Sequence, residues 1–188
     1  DIFLRFDKKY PDEELSELAE KIIKKTGEKA GRIHGSRDYF LIKKNEELYF
    51  EIIPVAKIKT AKEAKNITDL TYSHVGYINK KLKENMVNEV RLAKAFTHAS
   101  NSYGAESYIN GFSGYALELV IVKYKSFLNF IKSVSRENKK EDKIIIDIEK
   151  EYKNAHEILM NLNASKLQAP IILIDPTFPS RNALAALS

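Results

Sequence analysis

An α+β fold is the expectation for this chain, and three observations carry it. Short strand-like runs cluster near its start, in DIFLRF (1–6), YFLIK (39–43) and LYFEIIPV (48–55). From about residue 60 to 136 the apolar residues recur at helical spacing instead. A continuous apolar run, PIILIDP (170–176), then reads as a buried strand closed by proline. The expected architecture is a mixed or antiparallel sheet with helices over 1–58, followed by a mostly helical module over 59–188.

In order, Ile2, Leu4 and Phe6 alternate with Phe3 and Arg5, so the chain opens inside a β-element. A domain seldom opens this way, and an upstream segment or a second chain is expected to complete it. Pro11 with Asp12 and Glu13 marks a helix start, and Leu15, Leu18, Ala19, Ile22 and Ile23 keep helical spacing up to Gly27. The strands Tyr39–Lys43 and Leu48–Val55 are joined by a polar turn at 44–47, with Pro54 ending the second. Four or five helices are expected over 61–136, among them 88–100 and 113–123. RENKKEDK (136–143) reads as a solvated loop, and IIIDI (144–148) as a short strand or a helix start. A helix over 149–163, with Ala155, Ile158, Leu159 and Leu162 inward, and a last helix starting at Arg181 complete the outline.

Composition narrows the function classes. Hydrophobic content of 44% and charged content of 30% are ordinary for a globular chain. No apolar run approaches the roughly 20 residues that span a bilayer, so no membrane partner is expected. With no cysteine, disulfides and thiolate metal sites are excluded, which fits a cytoplasmic protein. His34, His74, His98 and His156 lack metal-ligand spacing, so zinc chemistry is not expected. A net charge of +5 suits a polyanionic partner such as nucleic acid, and equally suits a lysine-rich sequence with solvated surfaces.

The stretch YGAESYINGFSGYALELV (103–120) invites three readings. A nucleophile elbow needs glycine two residues after the serine, and position 115 is Tyr. A phosphate-binding loop needs a lysine after the second glycine, and none follows. What remains is Ser113 as the N-cap of a helix, with Gly111 and Gly114 permitting close backbone approach. Upstream, Arg91 and Lys94 share a helical face with His98 four residues beyond, either a triphosphate-holding stripe or a solvated face. HGSR (34–37) is followed by no acid-x-acid strand, so Gly35–Ser36 reads as a turn. Glu51 sits among Phe50, Ile52 and Ile53, where it either faces solvent or joins Asp1 on a neighbouring strand to share a divalent cation.

Taken together, DIFLRF, FEIIPVAKI, NITDLTYSH, NEVRLAKAF, YGAESYINGFSGYALELVIVKY and IDPTFPSRNALAALS resemble the archaeal CCA-adding tRNA nucleotidyltransferases of the polymerase-β-like superfamily. The resemblance runs from Asp1 to Ser188, with a divergent stretch around 136–168. It implies part of a nucleotidyltransferase palm over 1–58, then a central domain of the poly(A) polymerase and oligoadenylate synthetase substrate-binding type. It further implies template-independent addition of CCA to tRNA 3′ ends from CTP and ATP. By the same likeness Asp1 and Glu51 are catalytic and bind Mg²⁺. Thr71, His74, Lys94 and Tyr103 hold the triphosphate, and Arg181 helps read the incoming base.

This sequence departs from the family pattern in several places. The Gly-Ser motif and first acid are missing, so an upstream segment or second chain is expected to supply them. Glu51 replaces the usual Asp, Asn110 stands where arginine is common, and Leu70 and Tyr72 flank Thr71 in place of Arg and Pro. The expected partners are the tRNA acceptor end, ATP and CTP, and a homodimer is compatible with this reading. The alternative is a catalytically degenerate RNA-binding or assembly subunit of the same fold. A poly(A)- or oligoadenylate-type polymerase is the third option.

Overall fold

The structure, a computed structural model, describes residues 1–137 and 143–188. It resolves into two compact units, Asp1–Ser73 and His74–Ser188. Most of the loop expected over 136–143 lies outside the described residues. The mixed and antiparallel sheets with helices make an α+β fold.

The first unit is a four-stranded sheet of β1 (Ile2–Phe6), β2 (Gly31–Ile33), β3 (Tyr39–Lys43) and β4 (Tyr49–Ala56), in the order β1-β4-β3-β2. β1 runs parallel to β4, and the other pairs are antiparallel. Helix α1 (Leu15–Lys25) lays Ala19 and Ile23 against Phe40, Ile42 and Ile52, with Leu4, Phe6 and Phe50 beside them. That stripe has helical spacing, and Lys24 and Lys25 in the last turn complement the helix dipole. Ile22, expected inward, is exposed. Gly27 at φ +77° then turns the chain where a side chain would be strained.

Pro54 does not end β4, which continues to Ala56. Pairing with β3 finishes at Phe40↔Ile52, so the missing proline N–H costs no bond in that ladder. Gly35–Ser36 does form the turn, between β3 and the short β2 that the sequence reading did not include.

Residues 59–73 are tied to this sheet by Asp69, whose side chain is fully buried. Asp69 caps the 3-10 turn Ile67–Leu70 reciprocally with Asn66 and accepts from the backbone N–H of Ala56 at 2.7 Å. Its carboxylate receives the Arg37 guanidinium at 2.5 and 3.1 Å, and Arg37 also reaches Asp12. Helix α2 (Thr71–Lys81) starts immediately after this turn.

The second unit is built round α4 (Gly114–Tyr124), which buries Ala116, Leu117 and Leu119 through Val122. A helix apolar on most of its sides belongs in a core. α2, α3 (Val87–Ala99) and α5 (Phe127–Glu137) contribute Ile78, Val90, Ala93, Phe127 and Phe130 to the same cluster. The module also holds a three-stranded sheet of β5 (Ile144–Ile146), β6 (Ile171–Asp175) and β7 (Phe178–Asn182). Every residue of β6 is buried, because Ile171 and Leu173 face the α4 cluster while Ile172 and Ile174 face Ile158 and Leu162.

Two expected helices differ. The helix over 149–163 is confined to α6 (Ala155–Asn161), where Asn154 caps Glu157 N–H and Leu159 and Ala155 are exposed. The helix expected from Arg181 is absent. Pro176 and Thr177 instead turn β6 back into β7, which carries Arg181 and Asn182. The Asn182 Oδ1 accepts from Leu173 N–H and Leu184 N–H, both at 2.9 Å, and this holds the hairpin closed.

Candidate functional site

The Ser113 side chain caps α4, accepting from Ala116 N–H at 3.2 Å. Leu117 N–H is taken by the Ser113 carbonyl, so the helix itself supplies no acceptor for the N–H groups of Gly114 and Tyr115. An eleven-residue helix with free amides at its start attracts negative charge.

The loop before α4 is folded tightly on itself. Phe112 N–H bonds the Ser102 carbonyl at 2.8 Å, Gly104 N–H the Phe112 carbonyl at 2.9 Å, and Gly111 N–H the Gly104 carbonyl at 2.8 Å. Gly104, at φ +132°, needs glycine for its backbone, whereas Gly111 needs it for space because a Cβ there would overlap the Ser102 carbonyl. Asn110 takes φ 53°, a left-handed conformation that asparagine tolerates.

This folding brings Tyr103 to the α4 N-terminus. A Cβ on Gly114 would lie 2.9 Å from the Tyr103 hydroxyl and 3.7 Å from Lys94 Nζ, so both groups meet over that glycine. Lys94 reaches there from α3 and is held by Glu118 at 3.0 Å. His98, also on α3, stacks on the Tyr103 ring with centroids 4.0 Å apart. Beside them, His98, Asn101, Tyr103 and Ile109 line a cavity of about 150 Å³. Arg91, by contrast, is exposed and bonds Asn88 on its own helix.

The next residue, Tyr115, leads to a second cluster. Its ring stacks on His74 with centroids 3.9 Å apart, and its hydroxyl donates to Asp175 at 3.0 Å. The Asp175 carboxylate, fully buried, takes His74 Nε2 at 3.0 Å, Arg181 Nη1 at 2.8 Å, and Thr177 N–H and hydroxyl at 2.9 and 2.8 Å. His74 and Arg181 thus share one carboxylate, while Lys94 and Tyr103 meet at the helix start one residue away from Tyr115. Of the seven site residues read from the sequence, these four form two pairs, one at Gly114 and one on Asp175. Asp175, Tyr115 and Thr177 were not among the seven. The available signal was an acid ending an apolar strand directly before Pro-Thr.

Burial alone would raise the Asp175 carboxyl, but the His74 hydrogen bond and charge, the Thr177 amide and Arg181 outweigh it and hold it far below the ordinary range. The folded state therefore binds fewer protons than the unfolded one. The stabilisation is present above the unfolded carboxyl value of about 4 and is lost as pH falls through the folded value. The urea midpoint should accordingly decline progressively below about pH 4. The same burial and the Asp175 charge push the Tyr115 hydroxyl well above its usual range, so it stays a donor.

The remaining three residues lie in the first unit. Ile2 pairs with Ile52 in the parallel β1–β4 ladder, so Asp1 and Glu51 precede partnered residues on adjacent strands. By strand alternation both stand on the sheet face opposite α1, Asp1 exposed and Glu51 half-buried. Thr71 is the first residue of α2, half-buried and delivered by the turn that Asp69 closes. Among the described residues no group of three or more acidic, histidine or cysteine side chains is arranged to hold a metal ion. No helix of the described residues is long and apolar enough to cross a membrane.

Comparison with known proteins matches residues 88–188 to the family described as tRNA nucleotidyltransferase, second domain. A CCA-adding enzyme of Nanoarchaeum equitans is 40% identical over 188 residues, covering all of this chain and 47% of that protein. CCA-adding enzymes of Picrophilus torridus and Methanocaldococcus jannaschii are each 32% identical across the whole chain, covering 40% and 42% of theirs. The chain thus spans less than half the length of these relatives.

Proposed function

The chain belongs to the tRNA nucleotidyltransferase family, and on that premise we propose that it holds the nucleotide for template-independent addition of CCA to tRNA 3′ ends. In this reading residues 1–58 are part of the palm and 59–188 the central domain. The protein is cytoplasmic, its substrates are CTP and ATP, and its partner is the tRNA acceptor end. One observation carries the reading: a lysine ammonium, a tyrosine hydroxyl and a helix N-terminus converge at Gly114. Each favours phosphate for a different reason, as a point charge, a directed donor and a dipole end.

In the reaction the tRNA 3′-hydroxyl oxygen bonds the α-phosphorus of the nucleotide and gives up its proton to solvent, the bond from that phosphorus to the bridging β-phosphate oxygen breaks, and pyrophosphate leaves. Lys94, Tyr103, Thr71 and His74 orient and neutralise the triphosphate, and Arg181 offers its remaining guanidinium donors to the base. Asp1 and Glu51 suit Mg²⁺, which takes one or two carboxylates together with substrate phosphates. When bound, that ion would activate the attacking hydroxyl and steady the leaving pyrophosphate.

The alternative, a degenerate RNA-binding or assembly subunit, draws on one observation. Lys94 and Arg181 are each already paired with an internal carboxylate. The Lys94–Glu118 pair is partly exposed, however, and a pair of that kind is worth only about 0–1 kcal/mol, so a triphosphate can displace it. Calorimetric titration of this chain with ATP and Mg²⁺ separates the readings. Saturable, metal-dependent binding, weakened at least about tenfold in Lys94→Ala, is expected. Binding of tRNA that falls steeply with salt, with no nucleotide binding at all, would leave the subunit reading.

A further inference from the structure

We infer that Asp175 is a positioning residue that holds His74 in one protonation geometry and fixes Arg181 beside it, coupling the group offered to phosphate with the group offered to the base. This rests on the proposed function only for what His74 and Arg181 touch. The geometry that carries it is internal to the second unit. A fully buried carboxylate has no water to satisfy it and must find donors in the protein. Asp175 finds five, and all but the Thr177 pair come from outside its own turn.

The consequence for His74 is directional. An ionised carboxylate only accepts, so the ring nitrogen 3.0 Å away, Nε2, must carry a proton. Only Nδ1 is then left to meet a ligand. The Tyr115 ring stacked on the imidazole fixes its plane and so helps keep Nε2 on the carboxylate. The other ionisable groups here act on the same carboxylate. Arg181 bonds it from β7, Tyr115 from α4, and Tyr77 on α2, itself bonded to Glu149, feels its charge.

For Arg181, one guanidinium nitrogen is spent on Asp175 and the rest of the fork is oriented by that bond. Asp175 is therefore expected to set affinity without itself touching a nucleotide. Orienting partners of this kind are retained for what they do to their neighbours, as with the hydrogen-bonded carboxylates behind functional histidines.

The test begins on the unliganded wild-type chain, where long-range ¹⁵N–¹H spectra of the imidazole, assigned with His74→Gln, report which nitrogen is protonated. Expected is the tautomer with the proton on Nε2 and none on Nδ1. An Nδ1–H tautomer, or fast averaging between tautomers, overturns the inference whether or not nucleotide binds. In Asp175→Asn the single-tautomer bias should vanish and ATP affinity should fall about tenfold. Tyr115→Phe, which keeps the stacked ring and loses one donor, should leave the tautomer unchanged. If Asp175→Asn binds ATP as wild type does, the coupling fails while the nucleotide reading survives. If wild type shows the tautomer but binds no ATP, the nucleotide reading fails and the Asp175–His74 geometry stands.

Discussion

Asp69→Ala is expected to destabilise the first unit by about 3–5 kcal/mol, the cost of stranding one partner of a buried charge pair. The Arg37 side chain is 2% exposed, and its guanidinium meets both Asp69 oxygens. Removing them leaves Asp12, itself partly exposed, as the remaining counter-charge. The N–H groups of Ala56, Lys65 and Asn66 lose their acceptor at the same time. Arg37 Nε already has no acceptor among the described residues, so the network has no slack to absorb the loss. Against a typical stability of about 5–15 kcal/mol the loss is large. The urea midpoint measures it, and amide exchange at Ala56, Lys65 and Asn66 locates it. A change below about 1 kcal/mol would refute the clamp.

Gly111→Ala is expected to disrupt the loop that carries Tyr103. The added Cβ overlaps the carbonyl, carbon and Cα of Ser102, all backbone, in the rung where Phe112 N–H bonds that carbonyl. Overpacking of this kind costs about 1–3 kcal/mol, and more where the obstacle cannot rotate away. Tyr103, next to Ser102, moves with it, so ATP affinity and melting temperature should fall together. Gly76→Ala on α2 is the matched control. A Cβ there meets nothing within 4 Å, and helix propensity predicts a change between neutral and about 1 kcal/mol stabilising. A Gly111→Ala protein as stable as the Gly76→Ala protein would contradict this account of the loop.

The strands β3 and β6 and the helices α1, α3 and α4 could be read from sequence because their patterns are local. Apolar spacing, a capping serine and a stop glycine each act within a few residues. The Ser113 cap was identified by elimination, since GFSGY met neither a nucleophile elbow nor a phosphate loop. β7 was hidden because Arg181–Ser188 is a good helical sequence whose first residues are drawn into a hairpin by Asp175 and Asn182. The overlong helix at 149–163 failed for a similar reason. Asn154 caps Glu157 N–H and sets the true start, and Leu162 is buried beyond the end.

Residue pattern was enough for the fold class and the family, and six of the seven candidates that came with the resemblance are exposed or half-exposed in the structure. His74, the seventh, is nearly buried, and its working state depends on a carboxylate 101 residues away. That is the part only long-range packing decides. A charge buried in β6 has no energetic meaning until the chain folds and donors from α2, α4 and β7 close round it. The same holds for Lys94 and Tyr103, whose meeting over Gly114 follows from a loop held shut by its own backbone.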